Sequence, residues 1–456
     1  MTAQNQQVKS SFQIDSATQN GETIDVLWKD GHKSVYNNLW LMDACRCKQC
    51  FQDDTLSVNP GNDPLTMPLS PSSNSVDVEQ DGSLKIVWDD PRSDHESIFD
   101  SAWLRVHCQS ETGRSLARKT WDKTLDMPTF DFNDVVSNDD ALFVWLDSII
   151  ETGVSIIENA PRNEEAFREL AARVGFLHTR YHPSNVFTLD TTDKIAQKIQ
   201  HAYKLDRLFY HSDLTAYTDS GVIQLLHCLE YNNSNQEAEG YSIIADGFKL
   251  AEVLRKEYPE HYQQLTEEYA PACRRRMVAE EKVLQEGGEA LGNVSQNNTI
   301  GKYAWESYRL NHVIKLDEWG NPAEVRFNHN TRAPLSMPHD KVKSFYQAYR
   351  KFVELLEDQQ YTKEFLLKPG QVLICDNGRI LHGRTEVGST LKRKVLGTYV
   401  KGESFKSRWW LLLGQKAQMN DFWLTGLSIR RWKHWRTVSF KVRLLQCVIP
   451  GASCIL

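Results

Sequence analysis

Two stretches near the start of the chain share one pattern of apolar and polar positions. Val26-Leu-Trp28 runs through a polar Asp30-Gly31 turn to Asn38-Leu-Trp-Leu41, and Ile86-Val-Trp88 runs through Asp89-Asp90 to Ser101-Ala-Trp-Leu104. Each predicts a tryptophan strand, a polar turn, a second strand and the start of a short apolar helix. Pro60 to Ser75, rich in Pro, Ser and Asn, reads as the loop between them. The pattern predicts a small β-rich domain over residues 26–109. A domain of that size is too small to build a good core without a further staple such as a metal.

The periodicity then changes. The charged stretch 110–126 reads as a linker, and Met127 opens a second domain that runs to residue 415. Ala141 to Ile150 predicts an apolar-faced helix and Gly153 to Glu158 a strand. Asn163 to Val174 predicts a helix, with Phe167, Leu170, Ala171 and Val174 spaced three and four apart and Gly175 as its stop. Further on, Lys249 to Leu265 reads as helical, Val325 to Asn328 as a strand, and Asp340 to Leu356 as a helix carrying Phe345, Tyr349, Phe352 and Leu356 on one stripe. Gln371 to Asp376 is a buried strand. Arg274 to Glu306, with its Glu-Glu-Lys, Gly-Gly and Gln-Asn-Asn runs, is an exposed insertion or a flexible lid. The basic and aromatic segment 416–456 is expected to be an atypical, poorly packed tail.

Length and charge narrow the class. Two domains are the natural expectation for 456 residues, and a net charge of −7 gives no footprint for nucleic acid. No run of 18 apolar residues is present, so no membrane span is expected. Residues 1–25 are polar, with Asp15, Glu22 and Asp25 but no Arg. They predict an unstructured start that is neither a secretory nor a mitochondrial leader, and hence a cytoplasmic protein. Nine cysteines in such a chain argue against a disulfide framework. Cys45, Cys47 and Cys50 have the spacing to wrap one tetrahedral zinc, with His95 as the candidate fourth ligand. A reduced thiol cluster in a surface loop is the competing reading.

The chemistry-bearing residues lie in the second domain. His211-Ser-Asp213, read as a strand, would point an imidazole and a carboxylate to the same side. With His382, which follows the buried strand, they would make the 2-His-1-carboxylate set of a non-haem Fe(II) oxygenase. Arg393 follows eleven residues later, and a turn near Gly388-Ser389 would fold its strand back beside that of His382. Its guanidinium could then hold the far carboxylate of a co-substrate chelating the metal. His-x-Asp alone is common by chance, and a lone histidine is as much at home in a core. A hydrolytic zinc with the same three ligands is a further alternative.

His211-Ser-Asp213, Leu381-His-Gly-Arg384, Gly221 to Cys228, Ala245-Asp-Gly-Phe248, Phe327-Asn328 and Arg393-Lys-Val-Leu-Gly-Thr-Tyr399 together resemble the Fe(II)/2-oxoglutarate dioxygenases of the taurine dioxygenase superfamily. Within it they resemble the γ-butyrobetaine dioxygenase family, from about Val26 to about Gln415. The resemblance implies a mainly β fold, with a double-stranded β-helix (jelly-roll) catalytic domain, flanking helices and a small N-terminal zinc-binding domain held by three cysteines and a histidine. It implies Fe(II) on His211, Asp213 and His382, with 2-oxoglutarate, held by Arg393, and O2 as co-substrates, and ascorbate in support. The implied substrate is a small trimethylammonium carboxylate, hydroxylated at an unactivated carbon, and the implied assembly is a homodimer.

In that family an aromatic cage surrounds the trimethylammonium group. Tyr181, Tyr203 and Tyr399 match three of its positions, each ring being worth about 0.5–2 kcal/mol. Asn185 stands where a fourth aromatic is expected, with Phe187 nearby; Gln200 replaces an asparagine, and Asn328 is a further substrate-contact candidate. Trimethyllysine dioxygenases share the motifs and are the competing enzyme reading. A zinc-bearing binding protein with a decayed site is the non-enzymatic one.

Overall fold

The computed structural model describes residues 13–52, 54–55, 57–60, 62–65, 67–91, 95–108, 118–178, 185–193, 204–218, 221–233, 239–277, 303–317, 320–417, 421–422 and 427–428. The chain divides into two compact units, residues 1–116 with 409–456, and residues 117–408.

The first unit repeats one motif. Strands β1 (Ile14–Asn20), β2 (Thr23–Trp28) and β3 (Lys33–Asn37) form an antiparallel meander that ends in helix α1 (Asn38–Asp43). Strands β4 (Ser72–Val78), β5 (Leu84–Asp89) and β6 (Glu96–Phe99) do the same before helix α2 (Ser101–Val106). In both, a buried tryptophan indole donates to a serine hydroxyl across the hairpin: Trp28 to Ser34 at 2.9 Å and Trp88 to Ser97 at 2.7 Å. Burying an indole N–H needs such a partner, so each serine lets its tryptophan reach the core. Strand β1 corrects the expectation that residues 1–25 are unstructured. Its composition is polar because it presents one mostly exposed face, and Gly21, at φ +61°, makes the turn into β2.

The second unit is built on two antiparallel sheets. The larger has the order β9 (Val186–Asp190), β18 (Leu391–Lys401), β11 (Val222–Asn233), β16 (Val372–Asp376), β8 (Val154–Glu158) and β7 (Thr129–Asp131), with only the β8–β7 pair parallel. The smaller has the order β10 (Leu208–His211), β17 (Ile380–Arg384), β12 (Ser242–Asp246) and β15 (Thr362–Phe365). Val154, Ile156, Leu373 and Cys375 of the first pack with Ile244 and Ile380 of the second, giving the layered core of a jelly-roll. Ile243, Ala245 and Leu381 pack in a separate cluster with helices α5 (Gly247–Glu257), α6 (Pro259–Glu267) and α7 (His339–Glu357). Strands β13 (Ala270–Met277) and β14 (Tyr303–Asn311) pair as a hairpin, so both ends of the expected insertion are strand; its centre lies outside the described residues.

Several expectations are corrected. The helix expected over Lys249–Leu265 is two, because Pro259 cannot continue the first and instead opens the second at its first turn. The strand expected at Val325–Asn328 lies at Pro322–Val325, and Phe327-Asn328 leave it to meet the His211 turn. The last part of the expected linker is packed: Trp121 is buried and donates to the Thr152 carbonyl at 2.7 Å. Helix α8 (Gly402–Ala417) passes the expected domain end at 415, and the residues from Trp409 group with the first unit, where the Trp410 ring stacks 6.4 Å from that of His107. The basic run Arg430 to Arg436 lies outside the described residues.

Candidate metal centre

The two histidines of the candidate site are cross-strand neighbours. His211 ends β10 and faces His382 on β17, with ring centroids 4.4 Å apart. The strands come this close because Gly383 has no side chain; a Cβ there would sit 2.4 Å from the Leu208 carbonyl oxygen. Asp213 is not on the strand. It lies in the turn that follows, with Leu214 at φ +65°, so strand alternation is not what aims it at His211. Hydrogen bonds do that. Ser212 N–H donates to Phe327 O at 2.7 Å and its hydroxyl accepts from Phe327 N–H at 3.0 Å. Asn377 accepts from Asp213 N–H at 2.7 Å and donates to Asp213 O at 2.9 Å, clamping the backbone from both sides.

Their donor atoms lie within 4.8 Å of one another. Asp213 Oδ1 is 3.4 Å from His211 Nε2, and Oδ2 is 3.6 Å from His382 Nε2. His211 Nδ1 lies 2.8 Å from the Phe209 carbonyl, which can only accept, so in the neutral ring Nδ1 carries the proton and Nε2 presents its lone pair to the site. Two neutral imidazoles and one carboxylate on one side, with open space opposite, fit a divalent iron.

Asp213 and His382 carry the charges that this donor set needs, a carboxylate and a neutral imidazole. Burial disfavours the ionised Asp213 carboxyl, but the hydrogen bond from His211, the two imidazoles and the Tyr399 hydroxyl outweigh it and hold it well below the carboxylate range. Burial and the charge of His211 pull His382 down to about 4. His211 is pushed up, its burial being overcome by the Asp213 carboxylate, so that carboxylate favours a proton on the ring that a metal ion would have to displace.

A cavity of about 270 Å³ opens in front of the three ligands. Phe187, Tyr399, Asn328 and Arg393, all expected near the site, line it. Arg393 does not arrive as expected: its strand β18 joins the larger sheet between β9 and β11, while His382 sits in the smaller. No carboxylate pairs with its guanidinium among the described residues, and burial lowers its pKa against the opposing influence of Cys228 and Tyr231. Phe187 points inward over Gly397, where a Cβ would collide with its ring at 2.2 Å, and its centroid lies 5.5 Å from that of Tyr399. Tyr181, Gln200 and Tyr203 lie outside the described residues.

Sequence reasoning missed two cavity residues, Gln224 and Arg384, and one that braces the Asp213 turn, Asn377. Gln224, which stood without a role in a segment noted for resemblance, donates to Asp213 Oδ2 at 2.5 Å, and Asn377 holds the turn. Arg384 also lines the cavity, donating to the Lys204 and Asp206 carbonyls at 2.5 and 3.1 Å. Burial and the nearby charge of Arg393 bring its pKa down to about 10.

The first unit holds a second donor set. The ligand atoms of Cys45, Cys47, Cys50 and His95 lie within 4.8 Å of one another, with Cys50 Sγ 3.2 Å from His95 Nε2. His95 Nδ1 contacts the buried Asp90 carboxylate at 2.8 Å, which fixes its tautomer with Nε2 towards the sulfurs. Three thiols and an imidazole, a full set of four donors, fit zinc.

A mononuclear 2-His-1-carboxylate centre between two antiparallel sheets defines the class, that of a non-haem iron oxygenase. The chain belongs to the family described as taurine catabolism dioxygenase TauD, TfdA, which matches residues 113–399; the gamma-butyrobetaine hydroxylase-like N-terminal family matches residues 16–100. It is 30% identical to the gamma-butyrobetaine dioxygenase of Pseudomonas sp. over 86% of this chain and 94% of that one. It is 26% identical to the human gamma-butyrobetaine dioxygenase over 87% and 96%. It is 28% identical to the trimethyllysine dioxygenase of Meyerozyma guilliermondii over 88% and 96%.

Proposed function

We propose that the protein hydroxylates γ-butyrobetaine to L-carnitine, with 2-oxoglutarate converted to succinate and CO2. The observation that carries the co-substrate assignment is Arg393, a cation in the cavity of the iron ligands with no carboxylate partner among the described residues. A desolvated guanidinium holds a carboxylate in a bidentate fork, which suits the distal end of 2-oxoglutarate. Iron held by His211, Asp213 and His382 would supply the activation of O2 that C–H hydroxylation requires. The chain's own part is to hold both substrates in register and keep the cavity closed to side reactions.

Phe187 and Tyr399 present rings to the cavity, and with Tyr181 and Tyr203 they would complete an aromatic wall for a trimethylammonium group. Phe187 thus takes the place of the fourth ring that Asn185 lacks. In the first unit, Cys45, Cys47, Cys50 and His95 would hold a structural zinc. Trimethyllysine is the second reading, favoured by the 28% identity to the fungal enzyme. The test is succinate release from 2-oxoglutarate with Fe(II) and ascorbate, run with each trimethylammonium substrate. L-carnitine from γ-butyrobetaine is the expected product. Turnover of trimethyllysine alone would replace the reading, and turnover of neither would leave only the oxygenase class.

A further inference from the structure

Tyr399 enters the site twice, as a ring on the cavity wall and as a hydroxyl on a metal ligand. Its Oη lies 2.8 Å from Asp213 Oδ2, and Gln224 Nε2 lies 2.5 Å from the same oxygen. Both contacts are donations, because an ionised carboxylate can only accept. The two donors are direct cross-strand partners on β11 and β18, so the pair is set by sheet register and arrives on one side of the sheet together. With both on Oδ2, Oδ1 is left facing His211 Nε2.

Gln224 accepts a penalty for this arrangement. Its Oε1 is buried with no hydrogen-bond partner. Flipping the amide would set that oxygen against the Asp213 carboxylate, so the unsatisfied acceptor follows from aiming the N–H at the metal ligand. The histidines and the carboxylate are thus fixed by different sheets. His211 and His382 belong to the smaller one, while Asp213 is oriented by Gln224 and Tyr399 of the larger and by Asn377, just after β16.

We propose that Tyr399 and Gln224 are positioning residues for the metal, acting through Asp213 by holding its carboxylate in the rotamer that offers Oδ1. This rests on the iron-site reading above, and it makes one side chain, Tyr399, common to the metal ligand and the substrate wall. Partners of this kind typically change metal affinity by about 10–100-fold.

Mn(II) can serve as the probe, titrated into the full metal-free chain and followed by electron paramagnetic resonance. Tyr399→Phe and Gln224→Leu should each raise the Mn(II) Kd about tenfold or more, with the melting temperature of the metal-free chain unchanged. At saturating metal, Tyr399→Phe keeps the ring and should hold the KM for γ-butyrobetaine near its original value, whereas Tyr399→Leu should raise it. Mn(II) affinities for both variants within about twofold of the original chain would overturn the proposal. So would a fall in Mn(II) affinity matched by a lower metal-free melting temperature, which would mark a merely structural role. An original chain that binds no Mn(II) overturns this and the iron reading together. One that binds Mn(II) but turns over no trimethylammonium substrate ends only the substrate reading.

Discussion

At the scale of single residues, the site depends on groups whose environment was hidden in the sequence. Arg393 stood out because an arginine eleven residues past a candidate ligand had a task available to it. Truncating one partner of a desolvated charge pair costs about 2–5 kcal/mol, so Arg393→Ala should raise the 2-oxoglutarate KM steeply and Arg393→Lys restore only part of it. Unchanged 2-oxoglutarate dependence in the alanine variant would give that carboxylate to another cation of the cavity wall, Arg384 or Arg274. Asn185 reads differently once its backbone is known. At φ +58° it holds a left-handed turn, and its carbonyl accepts from Thr398 at 2.5 Å. Asn185→Trp should therefore lower the melting temperature without tightening substrate, while Phe187→Ala should weaken γ-butyrobetaine by about 0.5–2 kcal/mol. Tighter binding in Asn185→Trp, with Phe187→Ala silent, would leave the wall open at the fourth position. His227, which carried no signal in the sequence, is buried on β11 with neither ring nitrogen bonded, and burial takes its pKa from 6.5 down to about 4. It is neutral when folded but protonated when unfolded below 6.5. Its contribution is therefore full above that pH and is lost as pH falls towards about 4. Between pH 7 and 5 His227→Leu should remove about 2 kcal/mol of acid sensitivity, read by urea denaturation at the two values. Equal pH slopes in the two proteins would mean that His227 is not the source.

At the scale of elements, the two histidines share a strand pair that leaves no room between its backbones. Gly383→Ala would bring a Cβ within 2.4 Å of Leu208 O and 3.0 Å of the Phe209 backbone, prising β17 from β10 between His382 and His211. Overpacking of this kind costs about 1–3 kcal/mol, and here the strain falls on the ligands. The variant should lose metal affinity as well as stability, and Mn(II) binding at its original strength would show that the pair absorbs the methyl group. Helices α3 (Asp139–Thr152), α4 (Glu164–Val174) and α7 were legible because apolar spacing of three and four residues and their terminal residues act locally. Asn163 accepts from Ala166 N–H and Gly175 ends α4, as the sequence pattern predicts. The Asp213 turn and the sheet of Arg393 were not legible. The first depends on Phe327 and Asn377, more than a hundred residues away in the chain, and the second on strand order, which no local period records. His211, Asp213 and His382 do converge, although strand alternation is not what brings Asp213 to the two histidines.

At the scale of the whole molecule, the chain carries two donor sets of opposite character, and that difference is testable. Cys45, Cys47, Cys50 and His95 bring four donor atoms within 4.8 Å of one another, a full tetrahedral set, and Asp90 braces the histidine. His211, Asp213 and His382 cover one face and leave the other to a cavity. A closed thiolate site on a small unit contributes its binding free energy to folding, whereas an open site must exchange ligands to work. Mild chelation should therefore strip iron and abolish turnover while leaving one zinc per chain, and Fe(II) alone should restore activity. Cys47→Ser should lose the zinc, measured by elemental analysis, and lower the melting temperature of the residue 13–108 region, followed by hydrogen exchange. Asp90→Asn should weaken zinc less severely, since it removes only the brace on His95. Zinc retained in full by Cys47→Ser, or a zinc that leaves as readily as iron, would show that the cysteine cluster is not a closed metal site. Its three thiols and histidine would then be packing side chains that happen to converge.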